Sequence, residues 1–349
     1  MTPATGAHAG LIAAVRENCA ISDARHGREM TMCVYLLAMR ELYRWEQGLP
    51  LTEPLPRARV GAWLAEREAA WNSLEDAPYR PLPLCGREVD PFDAERVNEA
   101  LVPDGLVYGA GIGRRGKPQF FVAGLEREER RGGARVLVAG REHARDLDAA
   151  PAAFRGDTVY IRTETLARVL SEKAEAWSFK RSEGALKSAL DAYGFRSGSA
   201  DALAVMVAAE TETLILHELG EHDAGAIVGG RWEEALTLMD RRDAGSFMRA
   251  VRDLLADCRV TLPVLLDRGA AASIHWWFAE LDGLRRDLFP RAVEAYRRWC
   301  AGDADALRAA IADGASHWRA IAEEALALAS GADAADAVER LARAARVRR

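Results

Sequence analysis

Long apolar runs are absent from this chain. No stretch approaches the ~20 residues that a helix needs to span a bilayer, so a membrane-embedded protein of that kind is not expected. A basic excess is also missing. The 47 Lys and Arg face 53 Asp and Glu, a formal net charge of −6, and a nucleic-acid binder needs a positive surface. Cysteine is scarce and scattered: Cys19, Cys33, Cys85, Cys258 and Cys300, five in all, with no C-x-x-C. That excludes a zinc ribbon and a thioredoxin-type motif, and fits reduced, packed thiols in a cytoplasmic protein. No basic segment followed by an apolar core opens the sequence, which agrees with a cytoplasmic location. No serine lies in G-x-S-x-G, no P-loop is present, and no cysteine has an activating neighbourhood. The G-x-G within Gly109-Ala110-Gly111-Ile112-Gly113 is followed by no long helix, so a dinucleotide site fails its context test. Histidine is also rare, with seven in 349 residues.

Two of those seven fall together in Leu214-Ile215-Leu216-His217-Glu218-Leu219-Gly220-Glu221-His222. Imidazoles and carboxylates this close are the groups that bind transition metals or move protons near neutral pH. The pattern is H-E-x-x-E-H. It departs from the zincin pattern H-E-x-x-H, which holds its histidines at i and i+4. On a helix, at about 100° per residue, His217 and Glu221 lie about 40° apart on one face. Glu218 and His222 form a second such pair, turned about 100° from the first, while His217 and His222 are about 140° apart. His217 and Glu221 are therefore the expected metal-ligand pair. Glu210 and Thr213 extend their face backwards, giving a polar stripe that needs partners if the helix is buried. A mid-helix Gly220 costs about 1 kcal/mol against Ala, which points to close helix packing or ligand approach. The plainer reading is that Glu and His at i,i+4 form ordinary side-chain pairs on a solvated face.

Residues 1–90 read as a helical region. Ser22-Asp23 begin a polar bend ending at Gly27, a helix runs from about Glu29 to Gln47, and a third from about Pro56 to Glu75. A Pro-rich linker, Ala77 to Pro83, follows. Residues 91–162 change to short β-type runs, Leu106-Val107-Tyr108, Gln119 to Val122, Arg135 to Val138 and Thr158 to Ile161, separated by glycine turns. They predict a small, mainly antiparallel sheet. Residues 163–349 are helical, with predicted helices at about 163–178, 183–193, 200–228, 231–240, 245–262, 270–288, 290–300 and 303–345. The expected fold is thus α+β and predominantly α-helical, a helical bundle with a small sheet in the middle of the chain. The five arginines among residues 340–349 read as a solvated helix end.

A metal at His217 and Glu221 needs further ligands. Asp257 sits among apolar helix residues in Leu254-Leu255-Ala256-Asp257-Cys258 and needs a cation or a donor. Arg259, Arg252 or another arginine would serve, and a metal is the alternative. His26, in Asp23-Ala24-Arg25-His26, is a further candidate, against simple helix capping with a solvated histidine. Glu41 is expected to face inward from its helix, with an intrahelical Glu–Arg lattice as its other reading. His275, before Trp276-Trp277-Phe278, reads as a packed core residue. His143 follows a strand and can reach a cleft. His8 and His317 look peripheral.

Ser22 to His26, Tyr43-Arg44-Trp45-Glu46, Gly140-Arg141-Glu142, His217 to Glu221 and Ala256-Asp257-Cys258 together resemble a bacterial family known as a domain of unknown function, over nearly the whole chain. The resemblance implies a soluble, mostly helical protein and brings no activity with it.

The expectation is a metal-binding protein with a His/carboxylate site for a divalent Zn, Fe or Mn ion. Its ligands are His217, Glu221, Asp257, His26 and Glu41, a donor set without thiolate. Hydrolysis of a small-molecule or peptide substrate follows if Glu218 is the general base. A di-metal iron or manganese oxidoreductase is one alternative, although the usual Glu-x-x-His pair is missing. A non-enzymatic helical interaction protein is the other. No nucleic-acid or membrane partner is expected, and a homo-oligomer is open.

Overall fold

The computed structural model describes residues 6–113, 116–195, 200–229, 231–239, 242–331 and 333–347. It divides into two compact units, Met1–Ser171 and Glu172–Arg349. Among the described residues the fold is α+β and predominantly helical, with one five-stranded sheet and one two-stranded sheet. Among the described residues, no helix is long and apolar enough to cross a membrane.

In the first unit, α1 (Ala9–His26) is followed by a 3₁₀ turn, then α2 (Met32–Glu46) and α3 (Arg57–Asn72). Strands β1 (Leu82–Leu84) and β2 (Arg87–Val89) form a hairpin, and α4 (Ala94–Leu101) leads into the main sheet. Its strands are β3 (Leu106–Ile112), β4 (Pro118–Arg131), β5 (Ala134–Arg145), β6 (Ala152–Arg155) and β7 (Thr158–Arg162), in the order β3-β4-β5-β7-β6. Three of its four pairings are antiparallel and β5 with β7 is parallel, so the sheet is mixed but mainly antiparallel, as expected. The register of β4 on β5 slips between Val122 and Arg127, as a bulge does. The period-2 rule sorts the strands onto two faces. Leu106, Tyr108, Phe120 and Val122 pack with Leu11, Ile12 and Val15 of α1. Val107, Phe121, Ala123, Leu137 and Tyr160 form the core on the other face.

The polar bend expected at Ser22-Asp23 is instead buried helix, and α1 continues to His26. The cause is tertiary. Asp23 is 2% exposed, its Oδ1 accepts from Lys117 Nζ at 2.7 Å, and the Leu147 N–H donates to both carboxylate oxygens at 3.0 Å. A buried carboxylate whose partners come from the segments flanking β4 and β5 has no need of the local turn its type favours. The following helix begins at Met32, later than expected, because the 3₁₀ turn Gly27–Glu29 intervenes. Of the expected basic tail, Arg348 and Arg349 lie outside the described residues.

A helix, α5 (Thr163–Lys180), spans the division between the units. The second unit continues with α6 (Ala185–Ala192), α7 (Ala200–Val228), α8 (Arg231–Leu238) and α9 (Arg242–Ala256). A π turn, Asp257–Thr261, separates α9 from α10 (Leu262–Asp267). Then follow α11 (Ala271–Glu280), α12 (Gly283–Leu288), α13 (Pro290–Cys300), α14 (Ala304–Leu328) and α15 (Ala334–Val347). Trp232, Phe247, Leu254 and Trp318 lie in the core of this unit, each at most 2% exposed.

Three helices expected to be continuous are interrupted, and two of the breaks have visible causes. The run 245–262 gives way to the π turn just before Pro263, which cannot donate the hydrogen bond an α-helix requires there; the Leu262 N–H reaches back to the Asp257 carbonyl instead. The run 303–345 breaks near Gly331, whose N–H caps the Leu328 carbonyl. The run 270–288 opens at Leu281 and Asp282.

Candidate functional site

The polar stripe of α7 meets the C-terminal end of α9 at its π turn. Gly220 makes the approach possible: a Cβ there would sit 2.9 Å from the Ala256 carbonyl oxygen. The glycine therefore serves helix-on-helix contact, one of the two roles its mid-helix cost implied. The residue after Ala256 is Asp257. The π turn, a distortion often found at functional sites, starts there.

His217 Nδ1 lies 2.7 Å from Asp257 Oδ1, and Asp257 is fully buried. The other ring nitrogen, Nε2, lies 3.3 Å from Glu221 Oε1. Arg252 Nη2 reaches Glu221 Oε2 at 2.8 Å. Arg285 Nη1 is 4.0 Å from Asp257 Oδ2, and Trp277 also hydrogen-bonds to Asp257. Asp253, one turn before Asp257, hydrogen-bonds to Glu221. The cluster is deep but open to solvent, since the His217 side chain keeps 22% of its exposure and Glu221 19%.

Burial works against charge throughout this cluster, and the neighbours decide the outcome. For His217, desolvation pulls the pKa down, but the charge and hydrogen bond of Asp257 and the contact with Glu221 raise it well above the usual value. With no cation at the site, that direction favours the protonated ring, with Nδ1 toward Asp257 and Nε2 toward Glu221. For Asp257, burial is overcome by the His217 charge and hydrogen bond, and its pKa is lowered. Glu221 is likewise held low, by His217 and then Arg252, against burial. Asp253 goes the other way. Burial and then the Glu221 charge raise it, so Asp253 carries the proton of the carboxyl pair. Glu218 is 8% exposed and is pushed up to about 7, first by burial and then by the Glu221 charge, with His217 opposing. Among the described residues the Glu218 carboxyl makes no side-chain hydrogen bond.

Two turns earlier on the same stripe, Glu210 is 1% exposed. The Tyr193 hydroxyl donates to it at 2.5 Å and also lies 2.9 Å from Ser273 Oγ. Burial pushes Glu210 up to about 7 in spite of these hydrogen bonds.

The structure thus brings His217, Glu221 and Asp257 together, with Glu218 beside them. His26 and Glu41 lie in the first unit and are engaged there. His26 Nδ1 is 3.1 Å from Glu29 Oε1. Glu41, 3% exposed as its inward orientation predicts, accepts from Arg40 Nε at 2.8 Å and Arg44 Nε at 3.1 Å. Arg259 pairs with Asp223 rather than Asp257. His275 packs against Tyr296 and Trp299, with its Nδ1 2.7 Å from the Tyr296 hydroxyl, and His222 is exposed. Sequence reasoning missed Asp253, although Asp253 and Asp257 stand at i,i+4 on one face. It also missed Arg285, whose position near Asp257 carries no local signal. Among the described residues, no three His, Cys, Asp or Glu side chains form a group able to hold a metal ion.

Comparison with protein families matches residues 10–162 to the N-terminal domain, and residues 167–346 to the C-terminal domain, of a family of unknown function, DUF6866. The chain belongs to this family. Comparison with curated proteins and with solved structures gave no match.

Proposed function

We propose that this DUF6866 protein binds one divalent transition-metal ion, of the zinc, iron or manganese class, through His217 and Glu221, and that the centre serves hydrolysis of a small-molecule or peptide substrate. The observation that carries the reading is the two-sided engagement of the His217 ring. Asp257 clamps Nδ1 at 2.7 Å, as outer-shell carboxylates do for metal-binding imidazoles. That leaves Nε2 facing Glu221 Oε1 at 3.3 Å. This is longer than a charge-assisted N–H···O bond of about 2.7–2.9 Å. The two donors therefore stand side by side on one helix face, where His217 and Glu221 would hold one ion between them.

A divalent cation supplies a Lewis acid, the chemistry of hydrolysis at neutral pH. The chain's own residues do the rest. Asp257 fixes the tautomer and tilt of the imidazole. Asp253, hydrogen-bonded to Glu221 and raised toward neutrality by burial and by it, is the neighbouring carboxyl, and a cation at Nε2 would displace the proton that the His217 ring carries there together with any proton on Asp253. Glu218, buried beside His217, is the carboxylate assigned to proton transfer.

A second reading has its own support. Arg252 already occupies Glu221 Oε2 at 2.8 Å, and no three donors converge among the described residues. In that reading the cluster is an ion-pair lock in a non-enzymatic helical protein. No observation favours the di-metal alternative, since neither α7 nor α9 carries Glu-x-x-His.

Elemental analysis of the untagged full chain, with calorimetric titration of Zn²⁺, Fe²⁺ and Mn²⁺, tests the proposal. The expected result is one equivalent of metal, lost in His217→Ala and held about 10–100-fold more weakly in Asp257→Asn. Wild-type protein that arrives metal-free and takes up none of the three ions refutes it. The ion-pair lock would then be the surviving reading.

A further inference from the structure

The second unit holds a cavity of about 390 Å³ that is separate from the residues of the His217 cluster. Its volume falls in the range of small-molecule sites, roughly 300–1,000 Å³. Phe278 and Leu281 from the end of α11, with Val293 of α13, make an apolar floor. Phe278 and Tyr296 stack across the gap between α11 and α13, with centroids 4.1 Å apart and planes at 18°. The Tyr296 hydroxyl is held by His275 at 2.7 Å. That wall is therefore rigid before any ligand arrives, the condition under which binding costs least.

The lining is cationic as well as apolar. Arg286 and Arg297 both border the cavity. Arg297 lies 3.0 Å from Glu294, while Arg286 has no carboxylate partner among the described residues. The one acid of the lining, Glu183, is 3.9 Å from Lys187. The first turn of α6 also borders the space, and Gly184 at its N-cap offers no side chain to its free N–H groups. The balance favours an anionic head over an apolar body.

We propose that this cavity binds a small organic acid, an apolar or aromatic body carrying one carboxylate. The floor takes the body, and Arg286 with Arg297 takes the carboxylate. The arginine fork suits that geometry. Nothing in this assignment requires a metal at His217.

Calorimetric titration of the full chain with 4-phenylbutyrate, and with its neutral isostere 4-phenylbutanamide, tests the assignment. The acid should bind saturably at one equivalent, and the amide at least about tenfold more weakly, the worth of one charge-assisted hydrogen bond. The double variant Arg286→Gln/Arg297→Gln changes two exposed side chains and should not disturb folding. It should lose about tenfold for the acid and leave the amide unchanged. Val293→Trp, which fills the floor, should abolish both. The proposal is overturned if the acid does not bind, if acid and amide bind alike, or if the arginine variant keeps wild-type affinity for the acid.

Discussion

Two glycines of α7 allow the close approach of α7 to α9 to be weighed. Both lie in one helix, Ala200–Val228. A Cβ at Gly225 meets nothing within 4 Å, whereas one at Gly220 falls 2.9 Å from the Ala256 carbonyl oxygen and 3.2 Å from the Ala256 carbonyl carbon and Cβ. Gly→Ala in a helix interior is worth about 1 kcal/mol in favour of Ala. Gly225→Ala should therefore stabilise by about that amount. Gly220→Ala gains the same propensity but forces backbone away from backbone, and such overpacking costs about 1–3 kcal/mol. The two variants should thus differ by about 1–3 kcal/mol, and the difference isolates the contact, because chain entropy and propensity cancel between them. Urea unfolding of the full chain reads the difference, provided the m-value is unchanged. Amide exchange of residues 247–258 localises it. Equal stability of the two variants, or a more stable Gly220→Ala, would refute the close packing that brings His217 to Asp257.

Two further predictions concern buried charge. Glu210 has its folded pKa raised from the usual carboxylate value to about 7, so its contribution to stability is complete below about pH 4.5 and is lost as pH rises through 7. Between pH 4 and 8 the loss is about 3 kcal/mol; Glu210→Gln should show a stability–pH curve flatter than wild type by that amount, and parallel curves would refute the assignment. Lys117, 3% exposed, lies 2.7 Å from Asp23 and 4.0 Å from Asp146, both buried. Lys117→Met leaves those carboxylates uncompensated and should cost about 3–5 kcal/mol, partly recovered in Lys117→Met/Asp23→Asn, whereas a loss under about 1 kcal/mol in chemical denaturation would show the pair to be solvated.

The legible part of the site was written in helical spacing. His217 and Glu221 stand four residues apart, and spacing alone gives their shared face. Asp257 was legible as a carboxylate in an apolar run, a group that must find a partner. Its partner's identity was not, because that depends on which helices cross, and the crossing is set by the missing side chain of Gly220. His26 and Glu41 show the reverse. Both satisfy the composition of a site, yet their closest partners are three residues away or nearer on their own segments, at Glu29, Arg40 and Arg44. In the sheet, the longer apolar runs announced β3, β4, β5 and β7. β1, β2 and β6, of three or four residues each, are too short for a period-2 pattern to register. Asp23 was misread because a local rule, polar residues favour bends, met a buried lysine from the distant segment just before β4.

Two adjacent pairs in the second unit point in different directions. Trp277 bonds Asp257 while Phe278 walls the cavity, and Arg285 approaches Asp257 while Arg286 borders the cavity. Successive side chains on a helix diverge by about 100°, so a single peptide link carries each pair. Mutational dissection inherits this geometry. A bulky change at Phe278 displaces the same backbone that aims Trp277, and single-variant effects at the two places will not sum as independent quantities. Double-mutant cycles, for example Trp277→Phe with Val293→Trp, become the proper unit of measurement, because the non-additive remainder counts how much of one pocket's shape is borrowed from the other.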